Sequence, residues 1–459
     1  MNLYLPIETK VREFDAKFLL SCVAAEAGYT VILGHKKLLD KRLDQMPPGI
    51  FLDKSMPERN ISRYLHYKKL GFTLIAHDEE GIAPLNLDEY QRRRRYSNET
   101  LAPFEYVLTW GQWQADFIAA KAPLYKEKLK ATGHPRVDLT RSEFRAFYAE
   151  EVQKLREQYG PMILINTNFM LGNHFLGDDG VMELLEKSGK IPDEEQRQYY
   201  LGLQEHHKIL FHEFAAMIVK LQERFADSTI IVRPHPSENH ETWKHALPST
   251  DKVQVLHEGN VLPWLMAAQV MIHNSCTTGV EAYLLERPVI AYLPIRNEAF
   301  EGYLANPLSE IAFTCQKVLD TVERYLENDL TVQSDPQKQE LAKHHITGLD
   351  GELASDRIVR LLNTVTLTPG NVNQTAYQLY HRFKKTVRSN KILRRLLFGT
   401  SVNSRNNLAE QHKKQKFPGI ERDELFVSLA KLQTLSGRFA SIQIVSLAPN
   451  LFQITRGER

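Results

Sequence analysis

Little in this 459-residue chain is chemically extreme, and each shortage removes a class of protein. Cysteine is scarce: Cys22, Cys276 and Cys315 stand far apart and are odd in number. They suggest neither a disulfide framework nor a zinc site, and a reducing cytoplasm suits them. No run of about 18 apolar residues occurs, so no transmembrane helix is expected. The opening residues, Met1 to Glu8, lack the basic-then-apolar order of a signal peptide. No short tandem repeat is found. The pattern His-Glu-x-x-His is missing around His206, His207 and His212, and no two of these lie four apart, so no metal site is expected. Hydrophobic residues at 42% and charged residues at 25% describe an ordinary globular chain, long enough for two or three domains.

The net charge of +2 conceals an asymmetry. Residues 371–420 hold eleven Lys and Arg against the single acid Glu410, a local charge of +10 that leaves −8 for the rest. Within it, Tyr380, Phe383, Val387, Leu393 and Leu397 recur at near-helical spacing among cations. A helix of that kind suits an anionic membrane surface, or docks on the acidic remainder of the chain. No nucleic-acid-binding motif accompanies the charge.

Apolar runs and helical periodicities alternate along the first third. Strands are expected at Leu3–Ile7, Tyr29–Leu33, Gly49–Leu52, Phe72–Ala76 and Tyr106–Thr109. Helices are expected at Arg12–Ala27, Lys36–Asp44, Asn60–Leu70 and Gln112–Ala120. Strands separated by helices imply a parallel, doubly wound sheet. A linker helix over Ser142–Tyr159 ends at Gly160-Pro161, and the pattern restarts. Strands are read at Met162–Asn166, Thr229–Val232, Val253–Leu256, Val270–Ile272 and Val289–Tyr292. Residues 170–194 read as an irregular insertion, Glu195–Phe225 as a long helix, and Leu308–Asn328 and Gln339–Leu362 as packed helices. Ala440–Leu447 and Leu451–Thr455 read as strands of a small appendage. The expected divisions are a first Rossmann-like domain over 1–140, a linker helix over 141–160, a second Rossmann-like domain over 161–365 and a basic extension over 366–459.

In such sheets ligands bind beyond the carboxyl ends of the strands. Five polar clusters stand there or close by. His273-Asn274-Ser275-Cys276-Thr277-Thr278-Gly279-Val280-Glu281-Ala282 reads as strand, turn and helix, whose first N–H groups can face an anion. Glu281 in the first turn either accepts from a ribose or simply complements the helix dipole. Arg233-Pro234-His235-Pro236 follows a β-rich run, and Arg233 and His235 can supply charge-assisted bonds to phosphate. Asn166 and Asn168 end the first strand of the second domain, for sugar hydrogen bonding or turn capping. Asp78-Glu79-Glu80 follows the fourth strand, where three adjacent acids either do chemistry or cap a helix. Arg92-Arg93-Arg94-Arg95 is a solvated face or an anion clamp.

Taken in order, Leu5-Pro6-Ile7-Glu8, Arg12-Glu13, Asp15-Ala16-Lys17, Asp78-Glu79-Glu80-Gly81, Trp110-Gly111, Thr132-Gly133-His134-Pro135-Arg136-Val137-Asp138, Asn166-Thr167-Asn168-Phe169, Arg233-Pro234-His235-Pro236 and Asn274–Ala282 resemble the bacterial surface carbohydrate (surface polysaccharide) biosynthesis protein family. That family is similar to GT-B glycosyltransferases and, distantly, to retaining Kdo transferases that use CMP-Kdo. The resemblance covers roughly residues 1–365. It implies two Rossmann-like domains in a GT-B architecture. It also implies metal-independent sugar transfer, without a cofactor, from a nucleotide-sugar donor to a capsule or lipopolysaccharide acceptor carried on lipid, in the cytoplasm or peripherally on the inner membrane. Catalysis is expected from Glu79, Glu80 or Asp78. Donor binding is expected from Arg233, His235, Asn274, Ser275, Thr277, Thr278, Glu281, Asn166 and Asn168, and acceptor contacts from Glu8, Arg92 and Arg95. A polyol-phosphate transferase, a nucleotide-sugar epimerase or a non-catalytic sugar-nucleotide- or glycan-binding assembly protein on the same fold are the alternatives.

Overall fold

The computed structural model describes residues 1–84, 94–327, 335–367 and 416–457. Two parallel sheets organise it. The first carries β1 (Asn2–Ile7), β2 (Thr30–His35), β3 (Ile50–Asp53), β4 (Thr73–His77), β5 (Phe104–Thr109) and β6 (Leu129–Ala131). The second carries β7 (Met162–Asn166), β8 (Thr229–Arg233), β9 (Val253–Val255), β10 (Val270–His273), β11 (Val289–Tyr292) and β12 (Glu310–Ala312). Leu3–Ile7 and Met162–Asn166 are buried throughout, as parallel strands covered on both faces must be.

Two further strands, β13 (Ile442–Ala448) and β14 (Leu451–Arg456), complete the first sheet. Its order is β13-β14-β2-β1-β3-β4-β5-β6, and that of the second is β12-β11-β10-β7-β8-β9. Each order reverses direction once, between β1 and β3 in the first sheet and between β10 and β7 in the second. These are the topological switch points of doubly wound sheets, where the loops leave in opposite directions and open a crevice. The two Rossmann-like sheets expected from the sequence are therefore present.

The helices that matter here are α1 (Lys10–Glu26), α2 (Gln112–Lys121), α3 (Ala149–Tyr159), α4 (Glu194–Arg224), α5 (Thr278–Leu284), α6 (Pro336–His345), α7 (Ala354–Leu362) and α8 (Arg422–Ser436). Several expectations need correction. The linker is a 3-10 segment, Ser142–Tyr148, followed by α3 rather than one helix. The insertion at 170–194 contains the helix Gly177–Lys187. Glu310–Ala312 is a strand rather than part of a helix, and the stretch 339–362 is broken into α6 and α7.

Chain order and packing also diverge at the C-terminal end. Ile358, Val359 and Leu362 of α7 enter the same core as Phe14, Phe18 and Leu19 of α1. Asp138 receives the start of α7, accepting from the Ala354 and Ser355 backbone N–H groups at 2.7 and 2.9 Å and from Ser355 Oγ at 2.8 Å. Gly133, at φ +76, presses on the Thr347 carbonyl, where a Cβ would collide. The Thr132–Asp138 motif is thus a clamp for the chain as it returns to the first sheet. The strands after residue 440 are no separate appendage either: β14 pairs antiparallel with β2, and Leu425, Leu429 and Leu432 of α8 join the same core. Most of the basic extension, including the amphipathic stretch 377–398, lies outside the described residues. Among the described residues no helix is long and apolar enough to cross a membrane.

Candidate active site

A cleft of about 790 Å³ lies between the two sheets. Strand-end residues of both reach it: Glu8 beyond β1, Lys54 beyond β3, Glu79 and Glu80 beyond β4, Asn166 and Asn168 at β7, Arg233 and His235 at β8, and Ser275, Thr277, Thr278 and Glu281 beyond β10. Register accounts for the convergence on the second side, since Asn166 pairs with both Arg233 and His273 across adjacent strands. Eleven Lys or Arg residues line the cleft against six Asp or Glu, a balance that favours an anionic ligand.

On the second side, a carboxylate absent from the expected set does the organising. Glu238 is buried and accepts from Thr167 Oγ1 (2.8 Å), the Phe169 N–H (3.0 Å), the His235 N–H (3.0 Å) and Trp243 Nε1 (2.8 Å). It ties the ends of β7 and β8 together, and burial raises its pKa despite the four donors. Asn274 Oδ1 accepts from the Asn168 N–H at 2.7 Å and so links β10 to β7. Ser275 sits at φ +56, a left-handed conformation that costs a serine energy, and its Oγ accepts from Asn306 Nδ2 at 3.0 Å. The His273 imidazole supports the turn, accepting from the Cys276 N–H at 3.2 Å and bonding Ser309 Oγ at 2.8 Å. Gly279 leaves room for that ring. Thr277 makes no side-chain cap at the start of α5.

Arg233 is more constrained than its sequence position conveys. Its guanidinium donates to the Glu258 carbonyl at 2.6 Å and the Gly259 carbonyl at 3.4 Å, and lies 4.8 Å from the Trp264 ring centroid. Burial brings its pKa down to about 9. It forms the wall of the cleft and holds the 258–259 loop.

The first side is an ion-pair network. Glu13, wholly buried, accepts from the backbone N–H groups of Glu8 and Thr9 at 3.0 and 3.1 Å and from Lys17 at 3.0 Å. Lys17 also meets Glu79 at 3.1 Å, and His134 Nε2 lies 3.3 Å from Glu79. Burial opposes ionisation of Glu79, but Lys17, His134 and Arg136 outweigh it and hold its carboxyl well below the usual range. His134 stacks on Trp110 at 4.1 Å and accepts the Arg136 N–H on Nδ1, which leaves the ring hydrogen on Nε2, the nitrogen nearer Glu79. Burial lowers the pKa of this imidazole from its ordinary value, against the opposing pull of Glu79.

The neighbouring acids differ. Asp78 is buried and held by two bonds from Arg95, while Trp110 Nε1 donates to its carbonyl at 2.7 Å. The Glu80 side chain is 43% exposed and pairs with Arg12 at 3.3 Å and Arg95 at 2.8 Å. Arg95 therefore serves the acid loop, and Arg92 lies outside the described residues. Burial disfavours a charge on Glu8, but Lys54 at 3.1 Å and Lys36 at 3.6 Å bring its pKa to about 2.

Sequence reasoning missed Glu238 and the roles of Lys17, Arg136, Tyr148 and Asn260. Tyr148 Oη and Asn260 Nδ2 both donate to Asp15, at 3.0 and 2.6 Å, and so join α1, the linker and the second domain. Arg136 joins the two halves of the cleft by pairing with Glu281. The signal for Arg136 and Lys17 lay within the quoted motifs, whereas Glu238 offered only its place three residues after His235.

No family model matches the chain, and no curated protein matches it. Solved structures do. UDP-GlcNAc 2-epimerase from Neisseria meningitidis, bound to UDP-GlcNAc, is 14% identical with a TM-score of 0.48, covering 80% of this chain and 100% of that one. The UDP-GlcNAc 2-epimerase of Methanocaldococcus jannaschii gives 15% and 0.48 over 80% and 100%. The wall teichoic acid polymerase TagF gives 10% and 0.44 over 79% of this chain and 88% of that one.

Proposed function

We propose that the protein is a glycosyltransferase that moves a sugar from a nucleotide-sugar donor to a surface polysaccharide or lipopolysaccharide acceptor. The observation that carries this reading is the convergence of two switch points on one cation-rich cleft. In this reading the second side holds the donor. His235, the Arg233 wall, Ser275 and the start of α5 face its phosphates, Glu281 its ribose, and Asn166 and Asn168 its sugar. Negative charge grows on the departing phosphate, and preorganised cations and N–H groups there lower the barrier more than they stabilise the ground state. They do so without a divalent ion, so EDTA should leave turnover unchanged.

Across the cleft, Glu79 is the candidate catalytic carboxylate. Its depressed pKa makes it a weak proton acceptor at neutral pH. It is better suited as a fixed negative charge, or nucleophile, against the positive charge that develops on the sugar. Glu80, exposed beside Arg12, faces the acceptor together with Glu8, and Asp78 shapes the loop. The basic stretch 371–415 is proposed to meet an anionic inner-membrane surface that carries a lipid-linked acceptor. Co-sedimentation with neutral and anionic vesicles alike would count against an electrostatic contact.

The test of function is product analysis with a panel of CMP-, UDP-, GDP- and CDP-linked sugars, CMP-Kdo included. Transfer to a glycan acceptor with release of nucleotide is expected. Isomerised sugar without acceptor would mean an epimerase, a transferred polyol phosphate the polyol-phosphate enzyme, and binding without turnover an assembly protein.

A further inference from the structure

We infer that Arg136 is a positioning residue that couples the donor side of the cleft to the catalytic loop, an inference that rests on the nucleotide-sugar reading above. Arg136 belongs to the first domain, where its buried guanidinium lies 5.7 Å from the Trp110 ring centroid. It reaches in two directions. Nη2 pairs with Oε1 of Glu281, on α5 of the second domain, and Nη1 donates to the carbonyl of Glu79 at 3.4 Å. Both Arg136 and Glu281 line the cleft.

The two oxygens of Glu281 are thereby made unequal. Oε1 is occupied by Arg136, while Oε2 is buried and has no protein partner. A buried carboxylate oxygen without a donor is costly. Glu281 lines the cleft, and with Oε1 fixed, Oε2 is the oxygen left to accept from a hydroxyl of a bound nucleoside. The same guanidinium holds the backbone beside the candidate catalytic carboxylate, whose side chain is oriented by Lys17 and His134. One side chain therefore sets the donor-side acceptor oxygen and the catalytic loop relative to each other.

The experiment is a double-mutant cycle on the full chain, R136A against E281Q, read by calorimetric titration of whichever of CMP, UDP, GDP or CDP the wild type binds. R136A and E281Q should each raise Kd about tenfold, and the double variant should lie within about twofold of E281Q alone. R136K, which keeps the charge but not the fork, should recover part of the loss. In turnover, R136A should raise the donor KM by a larger factor than the acceptor KM. Additive losses in the cycle, or R136A binding nucleotide as the wild type does, would overturn the coupling. If R136A fails to fold, the cycle of R136K with E281Q carries the same comparison. A wild type that binds none of the four nucleotides overturns the functional reading and this inference with it, whereas an unaltered Kd in R136A overturns the inference alone.

Discussion

At the scale of single residues, environment separates side chains that the sequence left equivalent. Asp78, Glu79 and Glu80 are adjacent carboxylates, yet one is clamped by Arg95, one is buried between Lys17 and His134, and one is half-exposed. Glu79→Gln should therefore lower the transfer rate by about a hundredfold or more. Its fold should survive, because Lys17 retains Glu13 at 3.0 Å. Glu80→Gln should cost less than about tenfold, the loss expected when a carboxylate keeps its hydrogen-bonding shape but not its charge. Wild-type rates for both would remove the acid loop from catalysis. His273 gives a second prediction. Burial takes its pKa from 6.5 in the unfolded chain to about 3 in the fold. The unfolded chain then binds the extra proton between those values, so the stability His273 contributes is complete above pH 6.5 and is lost as pH falls toward 3. Urea midpoints at pH 7.5 and 5.5 should diverge more in the wild type than in His273→Gln, and parallel behaviour would contradict this origin. The strand ends were legible because clusters such as Arg233-Pro234-His235-Pro236 follow β-rich runs. The Arg136–Glu281 pair was not, because its members lie 145 residues apart and only the fold joins them.

At the scale of elements, periodic segments and apolar runs were readable, even short ones such as β9 and β11, while pairings between distant segments were not. Helix α1 and strands β1, β7 and β10 carry their own patterns. Strands β6 and β12, Leu129-Lys130-Ala131 and Glu310-Ile311-Ala312, are as short as β9 but lack its β-branched residues on both sides of the polar one, so no strand pattern shows. Strands β13 and β14 were visible as strands, but their position was not, since β14 completes its pairing with β2, whose residues lie some four hundred positions earlier. Consequently a truncation at residue 371 would remove part of the first sheet along with the basic stretch. Ile454 is fully buried, and Val445 is 51% exposed. Ile454→Ala should cost about 2–4 kcal/mol, and Val445→Ala should stay within about 0.5 kcal/mol, measured by urea unfolding. Equal small effects would mean that the terminal hairpin is not part of the cooperative unit.

At the scale of the whole molecule, two doubly wound sheets, a returning α7 and a shared core fix one cleft in which both switch points meet. The alternation of strands and helices made this architecture legible. The crossing of the chain back to the first sheet was hidden, because it depends on Asp138 receiving the start of α7. We propose that this cleft binds a nucleotide-linked sugar. The most direct test is the thermal midpoint of the full chain with CMP, UDP, GDP and CDP. One of them should raise it in a saturable way, with about 2.7 kcal/mol of added stability at a hundred times its Kd, and Glu281→Gln should shrink that gain. A midpoint unmoved by all four at millimolar concentration would contradict the account.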